Sequence, residues 1–346
     1  MNLEEFSYEL PQSLIAAFPT GERERSRLLV INRASGEILH SVFAELGTFL
    51  DSGDLLVLND TKVFPARLRG KKESGGRVEV LLLESFPQNG RSLWLALVDA
   101  GKKPRVGGRL LFGGGLTAQV IGDLGRGRFG LEFQPAEDFT SVMDRLGEPP
   151  LPPYVTRQRY SQALDRERYQ TVYARHAGAV AAPTAGFHFT DELFATLAER
   201  GIERAWVTLH VGPGTFQPVR ERRIENHRME GERYVLGRET AEKIERAKQA
   251  GRRVVAVGST SIRTLEWVAQ RKGKVEADEG IARLYIRPGY SFRVIDALVT
   301  NFHLPGSTPL ILVAAFAGLG LVRRAYEEAV KLRYRFYSYG DAMLIL

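Results

Sequence analysis

Four segments in the second half of the chain gather the side chains that could do chemistry: APTAGFHFT (182–190), TLHVGPGTFQPV (208–219), VGSTSIRTLE (257–266) and TNFHLPGSTPL (300–310). Each couples a histidine or a cluster of hydroxyls to glycine or proline. In TLHVGPGTF, His210 leaves an apolar run for a loop with two glycines, a proline and a threonine, which suits close backbone approach to a ligand better than an ordinary turn. In VGSTSIRTLE, the free N–H groups of a helix start, with Ser259, Thr260 and Ser261, could hold a carboxylate or phosphate, although the same residues also read as a plain N-cap. Arg263, within one turn, could fork a carboxylate. The small residues of APTAGFHFT also permit tight approach, and His188 between two phenylalanines reads equally as a core histidine satisfied by backbone. His303, before Leu–Pro, could orient a loop or act on substrate. His227, followed by Glu230 and Glu232, could make an acid/base pair or lie in a solvated hairpin.

The elements that must position these loops are legible around them. Three follow the apolar runs RAWVTL, RVVAVG and VIDALVTNF, which read as buried strands. The loops should therefore sit at the carboxyl ends of neighbouring strands, the edge where open α/β sheets bind ligands. Thr190 can cap a helix over DELFATLAER, and ETAEKIERAKQAG repeats that pattern before another strand. Helix and strand alternate as an α/β main domain with a mostly parallel sheet requires. Near the start, RLLVINRASGEILH predicts a hairpin, FAELGTFL a short helix and DLLVLND a strand. From Ala66 to Gly147 short alternating segments separated by glycines replace that grammar, with no helical pattern longer than a few residues. They predict an inserted small antiparallel β-barrel domain. The proline-rich EPPLPPYV (148–155) marks the return, so residues 1–65 and 150–346 form the main, catalytic domain and 66–149 the insert.

Composition narrows the chemistry. The 346 residues, 44% hydrophobic and 26% charged, can bury a large core. The absence of cysteine removes disulfides, thiolate nucleophiles and zinc–thiolate sites and fits a reducing cytoplasm. No histidines stand at HxxxH or HxH spacing, so no metal site is expected. GxGxxG between strand and helix and GxSxG are also missing. MNLEEFSYELPQ does not read as a signal peptide, and the apolar stretch from Thr308 to Val322 is too short to span about 30 Å of bilayer. The net charge of +7 suits either a well-solvated surface or a polyanionic partner. Arginine and aromatic residues interleave in RQRYSQALDRERYQ (157–170) and VKLRYRFYSYG (330–340), and RLRGKKESGGR, GKKPRVGGR and RERR add basic clusters, a pattern compatible with RNA.

LNDTKVFPARL (58–68), PLPPYVTR (150–157), RYQTVYA (168–174), APTAGFHF, LHVGPGTFQPV, STSIRTLE, TNFHLPGST and RFYSYGDAMLIL (335–346) together resemble the S-adenosylmethionine:tRNA ribosyltransferase-isomerase family of queuosine biosynthesis. The resemblance runs in order from SYELP to the last residue. Local departures are Phe187 for leucine, Ser259 for threonine, Gly306 and Pro309 after His303, and Glu230 where a second histidine is frequent. The resemblance implies a monomeric cytoplasmic transferase that takes S-adenosylmethionine as substrate, needs no cofactor or membrane, and acts on tRNA carrying the queuosine precursor. It moves the ribosyl part onto the aminomethyl group of a 7-deazaguanine base, releasing adenine and methionine.

That reaction needs a base and an acid, for which histidine is suited. His188 and His210 are the first expectations for proton transfer and His303 the third, with Asp60 recognising a cationic or exocyclic amine or else closing an Asx-turn. Thr184, Gly186, Gly212, Gly214, Thr215, Phe216, Ser259, Thr260, Arg263 and Tyr337 are expected around S-adenosylmethionine. Of these, Phe216 or Tyr337 would face the sulfonium and Ser259, Thr260 and Arg263 the methionine carboxylate. Arg157, Arg159, Arg166, Arg168, Lys71, Lys72, Lys102 and Lys103 are expected to meet tRNA phosphates. The rival readings are a noncatalytic RNA-binding protein and an enzyme acting on small nucleosides.

Overall fold

A strand buried on both faces reads as a nearly continuous apolar run, and LLVLN at 55–59, ending in a hydrogen-bonded Asn59, is such a strand. Leu55 and Val57 enter one core, Leu56 and Leu58 the other. In the computed structural model, which describes residues 1–86, 88, 90–134, 139–151, 162–212, 214 and 219–346, this strand lies in the middle of a nine-stranded sheet.

The hairpin β1 (Arg27–Ile31) and β2 (Ile38–Val42) precedes β3 (Leu55–Asn59) and a short β4 (Thr61–Val63). The insert contributes β5 (Arg67–Lys72), β6 (Arg77–Ser85), β7 (Ser92–Asp99), β8 (Arg109–Phe112), β9 (Thr117–Asp123) and β10 (Arg128–Gln134). After it come β11 (His176–Ala179), β12 (Glu203–Leu209), β13 (Glu232–Leu236), β14 (Val254–Val257), β15 (Asp278–Ala282), β16 (Ala297–Asn301) and β17 (Ala342–Ile345). The large sheet runs β15-β13-β12-β3-β14-β16-β17-β1-β2. Its centre, β12-β3-β14-β16, is parallel, as is β17-β1, while the remaining pairs are antiparallel. The sheet is therefore mixed, with the expected parallel order concentrated where the candidate loops leave it.

The insert closes into a six-stranded antiparallel barrel, β10-β7-β6-β5-β8-β9, filled by inward residues such as Val80, Leu82, Phe129, Leu131 and Phe133. Its ends meet: Arg67 and Glu148 exchange backbone hydrogen bonds of 3.1 and 2.8 Å. One helix, α1 (Phe139–Leu146), lies in this part of the chain, where no helical pattern is expected. Phe139, Val142, Met143 and Leu146 recur at helical spacing and pack on the barrel core. Two turns are too short to stand out among strands in the sequence.

The other helices are α2 (Gln162–Arg168), α3 (Asp191–Glu199), α4 (Arg238–Gln249), α5 (Gly258–Lys272), α6 (Thr308–Ala317) and α7 (Leu319–Lys331). The Thr190 hydroxyl accepts the Leu193 N–H at 3.1 Å, the cap expected for α3. The α5 stripe of Ile262, Leu265, Val268 and Ala269 covers one face of the sheet, whereas Leu193, Phe194 and Leu197 of α3 cover the other. The apolar stretch at 308–322 becomes α6 and the start of α7, bent by 117°. Among the described residues no single helix is long and apolar enough to cross a membrane.

Candidate functional site

Because β12, β3, β14 and β16 are adjacent and parallel, the segments after them, His210–Gly212, Asp60–Thr61, Gly258–Thr260 and Phe302–Ser307, emerge along one edge. Strand β17 is antiparallel to β16, so Tyr337 and Ser338, which precede it, reach the same edge. Two cavities open there.

The smaller cavity, about 230 Å³, is walled by Ala181–Ala185, Gly258–Thr260, Thr300, Asn301, His303–Pro305, Tyr337 and Ser338. Here β14 passes into α5 without a loop, which Gly258 allows by adopting φ +83°. Gly258, Ser259 and Thr260, the first residues of this fifteen-residue helix, thus line the wall together. Thr260 Oγ1 is buried and has no hydrogen-bond partner among the described residues. Tyr337 holds φ +77°, uncommon outside glycine, with its N–H on the Phe302 carbonyl at 2.9 Å.

The larger space, about 1640 Å³, is a cleft between the barrel and the main domain. Phe64, Trp94 and Phe139 line it with ring centres 5.7 and 5.4 Å apart in succession. Arg126, Arg128, Arg220, Arg228 and Arg233 line it together with Glu84, Asp144, Glu221, Glu230 and Glu232, so charges of both signs face the space. Arg128 of the barrel pairs with Glu230 of the main domain across the cleft. Val211 lines both spaces, so one cavity adjoins the other.

The three expected histidines occupy different layers. His210 faces the cleft, and its Nδ1 meets Thr61 Oγ1 at 2.9 Å. The Thr61 hydroxyl also lies 3.4 Å from the His176 carbonyl; with its proton there, His210 carries its own on Nδ1 and leaves Nε2 basic. Burial, then Arg233 and His176, lowers the His210 pKa. Gly178 makes room for this ring: a Cβ there would lie 2.7 Å from it. His303 lines the smaller cavity with Nε2 2.8 Å from Thr300 Oγ1, and burial holds it neutral with a pKa down at about 3. His188 lines neither space; it is buried behind the smaller cavity with Ser26 on Nδ1 at 2.7 Å and Asn301 on Nε2 at 3.0 Å. Asp60 also lies behind the wall, where Thr208 donates to Oδ1 at 2.6 Å and His176 stands 3.6 Å from Oδ2. Burial raises its carboxyl pKa against those contacts.

Arg263 does not reach the smaller cavity. It is buried, pairs with Glu232, and donates to the Leu284 carbonyl at 3.2 Å. The other oxygen of Glu232 takes the Gly212 N–H at 2.9 Å, so this pair fixes the loop after β12 rather than offering a fork. Gly186 meets protein instead of ligand, since a Cβ there would lie 1.9 Å from the Tyr173 hydroxyl oxygen. Thr184 lines the smaller cavity, and Gly212 and Gly214 line the cleft. Thr215, Phe216, Arg157 and Arg159 lie outside the described residues.

Arg166 donates to the Asp144 and Gly147 carbonyls at 2.7 and 2.6 Å, and Arg168 to those of Gly21 and Thr20 at 3.1 and 2.6 Å. Both guanidiniums serve the packing of the returning chain. Lys71, Lys102 and Lys103 are exposed on the barrel outside the cleft lining, and Lys72 donates to the Lys102 carbonyl at 2.6 Å. The cleft arginines were absent from the expected RNA set. RERR at 220–223 and GRGRFG at 125–130 carry some of them, but only closure of the barrel against the sheet brings them together. Asn301 and Thr300 were missed because a polar pair ending a buried strand has no distinctive spacing.

The chain matches, over residues 3–345, a family described as "Queuosine biosynthesis protein". It is 53% identical over 345 residues to the S-adenosylmethionine:tRNA ribosyltransferase-isomerase of Pelobacter propionicus and 50% identical over 349 to that of Halothermothrix orenii, covering 100% of each pair. Among solved structures it is similar to S-adenosylmethionine tRNA ribosyltransferase from Thermotoga maritima, with 39% identity and a TM-score of 0.55, covering 99% of this chain and 100% of that one.

Proposed function

The chain belongs to the queuosine biosynthesis protein family, and from that membership we propose that it is an S-adenosylmethionine:tRNA ribosyltransferase-isomerase. It transfers the ribosyl part of S-adenosylmethionine to the aminomethyl group of the 7-deazaguanine base in tRNA and isomerises it to the epoxycyclopentane. The structural observation that carries the reading is the pair of spaces joined at Val211: a small cavity beside a cleft lined by aromatic rings and arginines.

S-adenosylmethionine enters as a substrate, and no cofactor is invoked. Its methionine carboxylate is assigned to the start of α5 with Ser259 and Thr260, and its sulfonium to the side of Tyr337. The tRNA base, taken out of its stack, lies on Phe64, Trp94 and Phe139, while the cleft arginines meet phosphates. A sulfonium acidifies the neighbouring C5′ hydrogens. With Nε2–H given to Thr300, His303 has a basic Nδ1 to remove one of them, and adenine then leaves as the ring opens. His210 Nε2, facing the cleft, takes the proton of the incoming amine. Closure of the new ring expels methionine. The reading includes a monomer acting in the cytoplasm, which light scattering and cell fractionation check.

The deciding experiment incubates the protein with S-adenosylmethionine and tRNA carrying the aminomethyl-deazaguanine precursor. Adenine release together with a ribosyl-derived mass gain in the nucleoside is the expected result. Neither signal from a folded protein that binds this tRNA would overturn the assignment.

A further inference from the structure

Behind the smaller cavity, side chains from three parts of the sequence form one hydrogen-bonded line. Thr184 Oγ1 donates to Asn301 Oδ1 at 3.1 Å, Asn301 Nδ2 meets His188 Nε2 at 3.0 Å, and His188 Nδ1 meets Ser26 Oγ at 2.7 Å. Ser26 donates in turn to the Arg23 carbonyl at 3.3 Å. A carbonyl only accepts, and with the Ser26 proton on it the line takes one direction. In that arrangement Ser26 accepts Nδ1–H from His188. His188 Nε2 is then bare and accepts from the Asn301 amide, which turns Oδ1 toward the Thr184 proton. Ser26, His188 and Asn301 are 2, 4 and 2% exposed, so water does not compete for these bonds. Burial, with Arg23 and Arg335, keeps the His188 imidazole neutral, its pKa down at about 3.

We propose that His188 is a positioning residue: through Asn301 it draws the Thr184 hydroxyl proton away from the smaller cavity, so that Thr184 shows a ligand only oxygen lone pairs. Such a wall selects a hydrogen-bond donor. The neighbouring wall has the opposite polarity, because the α5 N-terminus offers N–H groups, and Gly258 at its start would place a Cβ 3.4 Å from that of Ala185. Acceptor and donor walls side by side match an α-ammonium and an α-carboxylate on one carbon. The line thereby assigns the ammonium of the methionine end to Thr184, an assignment that rests on S-adenosylmethionine occupying this cavity.

Calorimetric titration of S-adenosylmethionine into the full chain reads this step without turnover. His188→Leu removes the acceptor for Asn301 and should weaken binding by about 10- to 100-fold, while His188→Gln, whose carbonyl can take the same N–H, should recover most of the loss. Thr184→Val should weaken binding while leaving the Asn301–His188–Ser26 bonds in place. Nitrogen-15 spectra of the wild type should show His188 protonated at Nδ1 and bare at Nε2 from pH 5 to 8. Tight binding by a folded His188→Leu or Thr184→Val, a protonated Nε2, or a His188→Gln that binds yet loses turnover a thousandfold would each overturn the proposal. A wild type with the expected spectra that binds no S-adenosylmethionine would instead sink the cavity assignment on which it rests.

Discussion

His303 and His210 each keep a ring nitrogen with no protein partner among the described residues, whereas both nitrogens of His188 are taken. Nearness to a cavity and an available lone pair distinguish a base from a brace, and neither can be read from a sequence string. The pKa of His303 lies well below the ordinary imidazole value, so its basic form persists as pH falls through 6.5. The acid limb of kcat/KM should therefore lie well below pH 6.5, and His303→Asn should lower kcat by about 10² to 10⁴. An acid limb that disappears in His210→Asn but not in His303→Asn would transfer the first proton removal to His210.

Among the elements, α5 concentrates the consequences of one strand–helix junction. Its Thr260 hydroxyl is buried without a partner among the described residues, which costs stability unless a ligand supplies one. Thr260→Val should consequently leave the melting temperature equal or higher while raising KM for S-adenosylmethionine about tenfold; a lower melting temperature with unchanged KM would make the hydroxyl structural. The junction was legible in advance because VVAV is buried on both faces and GSTS follows at once. The edge shared by β12, β3, β14 and β16 was legible for the same reason, as were the barrel's alternating strands. Arg263 was not, since its partner Glu232 stands on β13, distant in sequence and closer to the cleft than to the cavity. Helical proximity to Ser259 suggested a shared ligand, whereas the structure shows Arg263 in a buried ion pair with Glu232. The β1–β2 hairpin was legible, whereas the antiparallel β13 and β15 at the other edge escaped notice because ERYVL and DEGIA carry no sign of their pairing direction.

For the whole molecule, the barrel and the sheet each supply half of the cleft, so tRNA affinity should depend on both and fall steeply with salt. Arg126→Ala and Arg228→Ala should each raise the tRNA KM with little change in kcat and reduce the slope of log affinity against log salt by about 1. Charge reversal at Lys71, Lys102 and Lys103 tests the outer barrel face in the same assay, and salt-independent binding would refute a phosphate interface altogether. The Arg67–Glu148 bridge has a different kind of consequence. Because the insert enters and leaves at adjacent backbone positions, everything beyond that bridge is, for the host sheet, no more than a tight turn. Loop-closure cost grows only slowly with length, so the barrel can be lengthened, trimmed or exchanged with little penalty to the strands that carry the chemistry. The part that reads RNA can thus drift over evolutionary time while the reacting edge stays fixed, and a protein engineer inherits the same freedom.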